Sequence, residues 1–441
     1  MEAIEGHLFS LWADISHFFG QYELNEGMLW IFLGTYAFTL ITDLGRTTLE
    51  VFFNFFRRPG NPPRVKLETS ECAIVIPCYN SDEVIKETLD TLPSGYKIYA
   101  VANGCTDRTM AILQECSTYL PNLEVINTAV PGKIRAVLLG ALKARKDGYS
   151  HFMLLDDDIQ WCKEADGSPQ PITVYNKAKA VTALPVVPSK VDLNWIRSVQ
   201  AVEYQMMCAS KRAQGNLGNV IMASGAAGIY TLKTFIDSMQ DHDGEHVGDD
   251  LQCSYIHHVK GYKIDFNSEA VVQTHPPVTL GSWWKQRAKR WEASPVFNLA
   301  WSAKIICAPL SKELSPGWWI RGVTFYRAFV IVNDLLRCYS LPFVLLFSPH
   351  LVLGVWAITY CSVLAKLVAF RYFFQQESYV KIDGITVASI LTYPLYGAMM
   401  WMSRVYALPK GIALNWKYYG KGSRKVSTLA SKMPELEGEI L

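Results

Sequence analysis

Three consecutive carboxylates, Asp156, Asp157 and Asp158, follow an apolar run in "HFMLLDDDIQW". Like charges at that density repel, so their placement at the end of a strand-like run calls for a compensating cation. On a strand, Asp156 and Asp158 point one way and Asp157 the other. Two carboxylates on one side suit a hard divalent ion such as Mg²⁺, whose shell is commonly completed by substrate phosphates. An acidic surface turn is the bland alternative. A second acidic pair, Asp249 and Asp250 in "HVGDDLQCSY", precedes a helical pattern. It offers either a general base or a helix N-cap. In "WWKQRAKRW", α-helical spacing puts Gln286, Arg287, Arg290 and Trp291 on one face. Such a face presents guanidinium groups to an anion and an aromatic floor to a ligand; a basic helix lying on anionic lipid fits equally. Lys133 in "PGKIRA" opens another helix, where a cation and free backbone N–H groups face a phosphate, unless the lysine is simply solvated.

These residues need a scaffold, and the pattern supplies one. Short β-rich runs ("CAIVIPCYN", "YKIYAVANG", "HFMLLDDD", "AVTALPVVP") alternate with helical stretches such as "DEVIKETLDTL" and "GKIRAVLLGALKA". The alternation predicts an α/β domain with parallel strands and crossover helices. Ligands bind such sheets at the carboxyl ends of the strands, where the aspartate triplet lies.

Of the 441 residues, 50% are hydrophobic and 19% charged, which is greasy for a soluble enzyme and directs attention to membrane segments. A net charge of +2 leaves no basic excess for a nucleic-acid partner. The ten cysteines are scattered, with no zinc-ligand spacing, and read as reduced thiols of a cytosol-facing protein. The sequence divides into an amino-terminal non-cytosolic segment (1–27), a transmembrane segment (28–56), a basic linker (57–70) and a cytosolic domain (71–300). Interfacial helices (301–323), about three transmembrane or re-entrant segments (324–408) and a basic polar tail (409–441) complete it. The linker "RRPGNPPRVK" places the amino terminus outside and the domain inside. Three later crossings would put the basic tail outside, against the same rule, so one of the three segments is expected to be re-entrant or interfacial. Asn333, Asp334 and Arg337 fall within one of them, either lining a polar path or forming an Asp334–Arg337 pair.

The ordered motifs "AIVIPCYNSDEVI", "VANGCTDRT", "PGKIRAVLLGAL", "LLDDD", "GDDLQCSYIHHVKGYKI" and "QRAKRW" resemble glycosyltransferase family 2. The resemblance is to its membrane-embedded branch of hyaluronan, chitin and cellulose synthases, and more distantly to ceramide glucosyltransferases. It implies a GT-A domain, mixed but mainly parallel, with transmembrane and interfacial helices. By the same resemblance, Pro77 and Tyr79 stack a nucleotide base and Asn103 stands where the family usually has an Asp gripping base or ribose. Asp107 has the alternative role of capping the next helix. Asp156 and Asp157 help hold a nucleotide-sugar donor, and Asp158 binds Mg²⁺ or Mn²⁺. Asp250 is the base with Asp249 as partner, and Arg290, Trp291 and Lys133 serve the leaving diphosphate and the acceptor. Arg287 stands where the synthases have Gln, with Gln286 one residue earlier. Trp283 and Trp284 are either interface anchors or acceptor contacts. The implied activity is inverting transfer from a nucleotide-sugar donor, expected to be UDP-linked, to a β-linked polysaccharide. Single addition to a membrane glycolipid, or an inactive scaffold, are the alternatives.

Overall fold

The structure, a computed structural model, describes residues 24–55, 64–164, 166–189, 194–244, 248–308, 317–374 and 387–419, with 429, 435, 436 and 438. Nearly all of the expected amino-terminal segment and part of the linker therefore lie outside the described residues. Helix α1 (Leu24–Phe55) leads to the α/β domain. Its first half comprises β1 (Val65–Lys66), β2 (Cys72–Cys78), α2 (Ile85–Thr91), β3 (Lys97–Asn103), α3 (Thr109–Tyr119), β4 (Leu123–Thr128) and α4 (Lys133–Lys146). Next come β5 (His151–Leu155), β6 (Ile159–Trp161), β7 (Thr173–Val174), β8 (Val181–Ala183), β9 (Val186–Pro188) and α5 (Trp195–Asn216). The domain continues through β10 (Ala227–Thr231), α6 (Leu232–Met239), α7 (Asp249–Val259), β11 (Ile264–Phe266) and β12 (Val272–Thr274). After α8 (Leu280–Gln286), a π-helical turn (Arg287–Trp291), α9 (Ser294–Phe297) and α10 (Leu299–Ile306), three long helices follow. They are α11 (Trp318–Phe347), α12 (Pro349–Phe374) and α13 (Val387–Tyr419).

The main sheet has strand order β11-β8-β10-β5-β2-β3-β4. Its pairs are parallel except those of β10, which runs antiparallel to β5 and β8. Strand β2 is apolar throughout because both faces are covered. Ala73 and Val75 pack under α4 on one face, while Ile74 and Ile76 meet α2 and α3 on the other. Helix α4 approaches β2 unusually closely at Gly140, where a Cβ would lie 2.4 Å from Val75 Cγ1.

Helices α1 and α11 are long and apolar enough to cross a membrane, over Glu26–Phe53 and Trp318–Phe347, and α12 has a shorter apolar stretch, Pro349–Ala365. Part of the expected interfacial segment 301–323 belongs to a longer element, and residues 309–316 of it lie outside the described residues. Trp318 and Trp319 form the first turn of α11, with Trp319 against Phe53 of α1 (ring centroids 6.5 Å apart). The polar residues of α11 pair with other helices as well as with each other. Asn333 donates to Thr39 Oγ1 (2.9 Å), Arg337 lies over the Tyr36 ring (4.3 Å), and Asp334 binds Arg404 of α13 (2.7 Å) as well as Arg337 (3.7 Å).

The described tail residues return to the α/β domain. Leu429 and Leu436 are buried in its core, the Leu429 N–H donates to His242 O (2.9 Å), and Glu435 pairs with Arg135 (3.4 Å).

Alanine at Gly140 gains about 1 kcal/mol of helix propensity, yet overpacking against Val75 costs about 1–3 kcal/mol. Gly140→Ala is therefore expected to lower the thermal midpoint. Combined with Val75→Ala, it should cost less than the two single losses added together; strict additivity would show that the two residues do not touch.

Candidate active site

Strand β5 ends at Leu155, so the aspartates do not continue its alternation. Asp156 N–H donates to Ala226 O (2.9 Å) and Ile159 N–H to Asp156 O (3.2 Å), which closes a turn between β5 and β6. The strand-based expectation for the triplet is corrected accordingly, although two of the side chains still diverge. Asp156 meets Lys133 Nζ at 2.5 and 2.7 Å. Asp157 Oδ2 accepts the Tyr79 N–H (3.1 Å), and its carbonyl accepts the Thr88 hydroxyl (2.8 Å). Burial, then the charges of Asp156 and Asp157, push the Asp158 carboxyl up to about 7.

Lys133 is the first residue of α4, as its motif suggests, but it is not simply solvated. Besides Asp156, its Nζ donates to Gly225 O (3.1 Å). Gly225 N–H in turn donates to Asp250 Oδ2 (3.1 Å), which links the turn after β5 to the start of α7. Asp250 Oδ1 accepts the Leu251 N–H (2.8 Å), so two backbone donors aim this carboxylate. Beside it, Asp249 Oδ1 is buried without a hydrogen-bond partner, and burial pushes this carboxyl up to about 7 despite the nearby Lys133 charge. Gly248 holds the pair in place: its φ of 92° is left-handed, and a Cβ there would lie 1.8 Å from Ser294 Oγ.

Other expected residues sit differently. Pro77 lies inside β2, opposite Val101, where pairing with β5 has already stopped at Val75, so its missing N–H breaks no ladder to β5. Tyr79 is 56% exposed and free to meet a base. Asn103 is buried, and its Oδ1 accepts the Gly132 N–H (2.8 Å), tying the end of β3 to the start of α4. Asp107 bonds the N–H groups of Thr109 (3.0 Å) and Asp82 (3.2 Å), the capping role.

The "RAKRW" segment is a π-helical turn, so α-helical spacing does not describe its faces. Arg287 is 3% exposed and grips Glu203 of α5 through two hydrogen bonds (2.8 and 2.5 Å), with its guanidinium 4.1 Å over the Trp291 ring. Arg290 is exposed, and Trp291 is 38% exposed. Gln286 keeps a buried, unpartnered Oε1. Trp283 is buried and donates to the Tyr396 hydroxyl (2.9 Å), an internal contact rather than a lipid anchor.

Sequence reading missed α5 as part of this region. Burial pushes the Tyr204 hydroxyl up and the Lys211 ammonium down, with the Arg287, Glu203 and Asp158 charges acting secondarily on the first and that of Asp250 on the second. Glu203, an acid within the apolar run "AVEYQMM", was the available signal. For a metal, no cage of three His, Cys, Asp or Glu side chains exists among the described residues. Asp158 with neighbouring Asp156 fits the sparser set that Mg²⁺ takes when phosphates complete its shell.

A family description, glycosyltransferase like family 2, matches residues 70–293, about half of the chain. The chain belongs to this family. Poly-beta-1,6-N-acetyl-D-glucosamine synthase of Staphylococcus aureus is 27% identical over 255 residues, 55% of this family-2 chain and 60% of the relative. The Staphylococcus epidermidis synthase is 26% identical over 232 residues, 50% of the chain and 53% of the relative. The match therefore spans little more than half the length of these curated relatives. Mannosyltransferase PcManGT from Pyrobaculum calidifontis, solved with GDP-Man and Mn²⁺, aligns with a TM-score of 0.51 at 12% identity, over 85% of this chain and 98% of that one. The domain thus has the GT-A-like fold, a mixed, mainly parallel sheet flanked by helices.

Raised carboxyl pKa values have a defined sign. Below about pH 4, Asp158 and Asp249 are protonated in folded and unfolded chains alike. As pH rises through about 7, the unfolded chain ionises first, the native state binds more protons, and stability is lost. In chelator, the thermal midpoint should fall between about pH 5 and about pH 8, and Asp158→Asn with Asp249→Asn should flatten that fall. An equally steep fall in the double variant would contradict the assignment.

Proposed function

We propose that this chain is an integral-membrane inverting glycosyltransferase that moves a sugar from a UDP-linked donor onto a growing β-linked polysaccharide. The convergence of Asp156, Lys133, Gly225 and Asp250 through successive contacts at the end of β5 carries the reading. The polysaccharide synthases among its relatives support a glycan acceptor.

In this reading Tyr79 stacks on the base of the donor. Asp158, with Asp156 beside it, would hold Mg²⁺ or Mn²⁺, which supplies positive charge to the diphosphate when bound. Asp250, aimed by its two backbone N–H groups, takes the proton from the acceptor hydroxyl. The hydroxyl oxygen bonds to the anomeric carbon from the face opposite the diphosphate. The bond to the leaving oxygen breaks with its electron pair, which inverts the configuration. Lys133 and Arg290 offset the charge of the departing diphosphate, and Trp291 floors the acceptor sugar.

For the membrane, α1 crosses with the amino end outside and the domain on the cytoplasmic side. Because Leu429 and Leu436 pack in the core of the domain, the tail shares its side. Helices α11 to α13 therefore cross an even number of times. Helices α11 and α12 form an out-and-back pair, and α13 lies along the domain. It meets α5 where Trp195 donates to Thr392 (2.7 Å) and α9 where Asn415 donates to Phe297 O (2.8 Å).

Radiolabelled UDP-sugars with Mn²⁺ are expected to give a high-mass product; an organic-extractable product would instead indicate glycolipid synthesis, and no turnover an inactive domain. Asp250→Asn should reduce transfer by about 10²–10⁴-fold with UDP binding retained; full turnover would remove Asp250 from the base role. A carboxyl-terminal tag in sealed vesicles should be cleaved from the same side as the α/β domain. Protection of the tag alone would refute the even crossing count.

A further inference from the structure

Glu203 is 8% exposed on α5, and its carboxylate accepts from two separate elements. Arg287 donates through both terminal nitrogens (2.8 and 2.5 Å), and the Tyr396 hydroxyl of α13 donates at 2.7 Å. Tyr396 itself accepts from Trp283 Nε1 of α8 (2.9 Å). One buried carboxylate thus joins α5, the π-helical turn and α13, and through the Tyr396 hydroxyl reaches α8. Stability does not account for it, because well-packed apolar residues commonly replace a buried ion pair without loss. What the pair does supply is direction. The paired guanidinium cannot turn, and its plane is the surface on which one face of the Trp291 ring rests, 4.1 Å away.

We propose that Glu203 is a positioning residue. By fixing Arg287 it sets the orientation of Trp291 at the acceptor side of the cleft, and through Tyr396 it makes that orientation depend on the seating of α13. The inference rests on the transferase reading above and deepens it. Acceptor recognition becomes coupled to the seating of α13, while donor binding at the aspartate turn stays independent.

The full chain in lipid nanodiscs provides the test, with Tyr396→Phe, Glu203→Gln and the pair Glu203→Met/Arg287→Met. Three quantities are read: the thermal midpoint, UDP affinity with Mn²⁺, and KM for acceptor and for donor separately. Hydrogen exchange over residues 283–292 is followed in parallel. Tyr396→Phe should lower the midpoint by less than Glu203→Gln and keep the UDP affinity of the parent while acceptor KM rises about tenfold or more, the size of one lost hydrogen bond to a charged group. Glu203→Gln, which strands a buried guanidinium, should lower the midpoint. The paired Met variant should recover the midpoint but not the acceptor KM. Recovery of both would make the cluster purely structural and overturn the proposal, as would equal changes in donor and acceptor KM. Exchange separates the two levels of inference. Unchanged exchange in Tyr396→Phe and Glu203→Gln removes the clamp whatever the turnover. Faster exchange in a chain whose parent transfers no sugar removes the transferase reading, and with it the acceptor role of the clamp.

Discussion

The Lys133 ammonium, 2.5 Å from Asp156, is what lets acidic side chains from separate stretches share one cleft. Without a cation there, the turn after β5 and the start of α7 would repel each other across Gly225. The surrounding architecture serves that juxtaposition. Parallel strands deliver the aspartate turn and the opening of α4 to the same edge of the sheet, and Asn103 locks the start of α4 to β3. Left-handed Gly248, pressed against Ser294, begins α7 where its carboxylates meet the cleft.

Around this charged centre the chain places a second, drier one. The Glu203–Arg287 pair joins α5 to the π-helical turn, and the Asp334–Arg404–Glu292 contacts join α11 and α13 to the residue that follows that turn. In such surroundings a carboxylate left alone is costly, so each ionic group is matched by one from another element. This second centre is anchored in the short stretch from Trp283 to Glu292, which supplies Trp283, Arg287 and Glu292. Its π-helical winding redirects side chains that an α-helix would have sent elsewhere.

Much of this was readable in the residues. Apolar runs of strand length and helical periodicity located the sheet and the crossover helices, because local pattern and burial agree there. The aspartate triplet, Asp249-Asp250 and Lys133 stood out because charge at the ends of apolar elements is rare without a purpose. Other features arise only from tertiary pairing. Arg287 read as an anion ligand, since nothing local announces that Glu203 lies against it. The π-helical turn escaped because α-helical spacing was assumed, and the turn after Leu155 because the strand was extended too far. Residues 301–323 read as interfacial helices, since composition alone does not tell such a piece from the first turn of the long helix that begins at Trp318. In the basic tail, the many lysines and arginines masked two leucines that reach the core.

The burial of Leu429 and Leu436 bears on how the chain is made. Synthesis proceeds from the amino end and domains usually fold as they emerge, yet here the core of the α/β domain keeps an apolar gap until α11 to α13 and the leucines beyond them have been made. Closure of the domain's interior thus waits on a segment that follows three long helices in the chain.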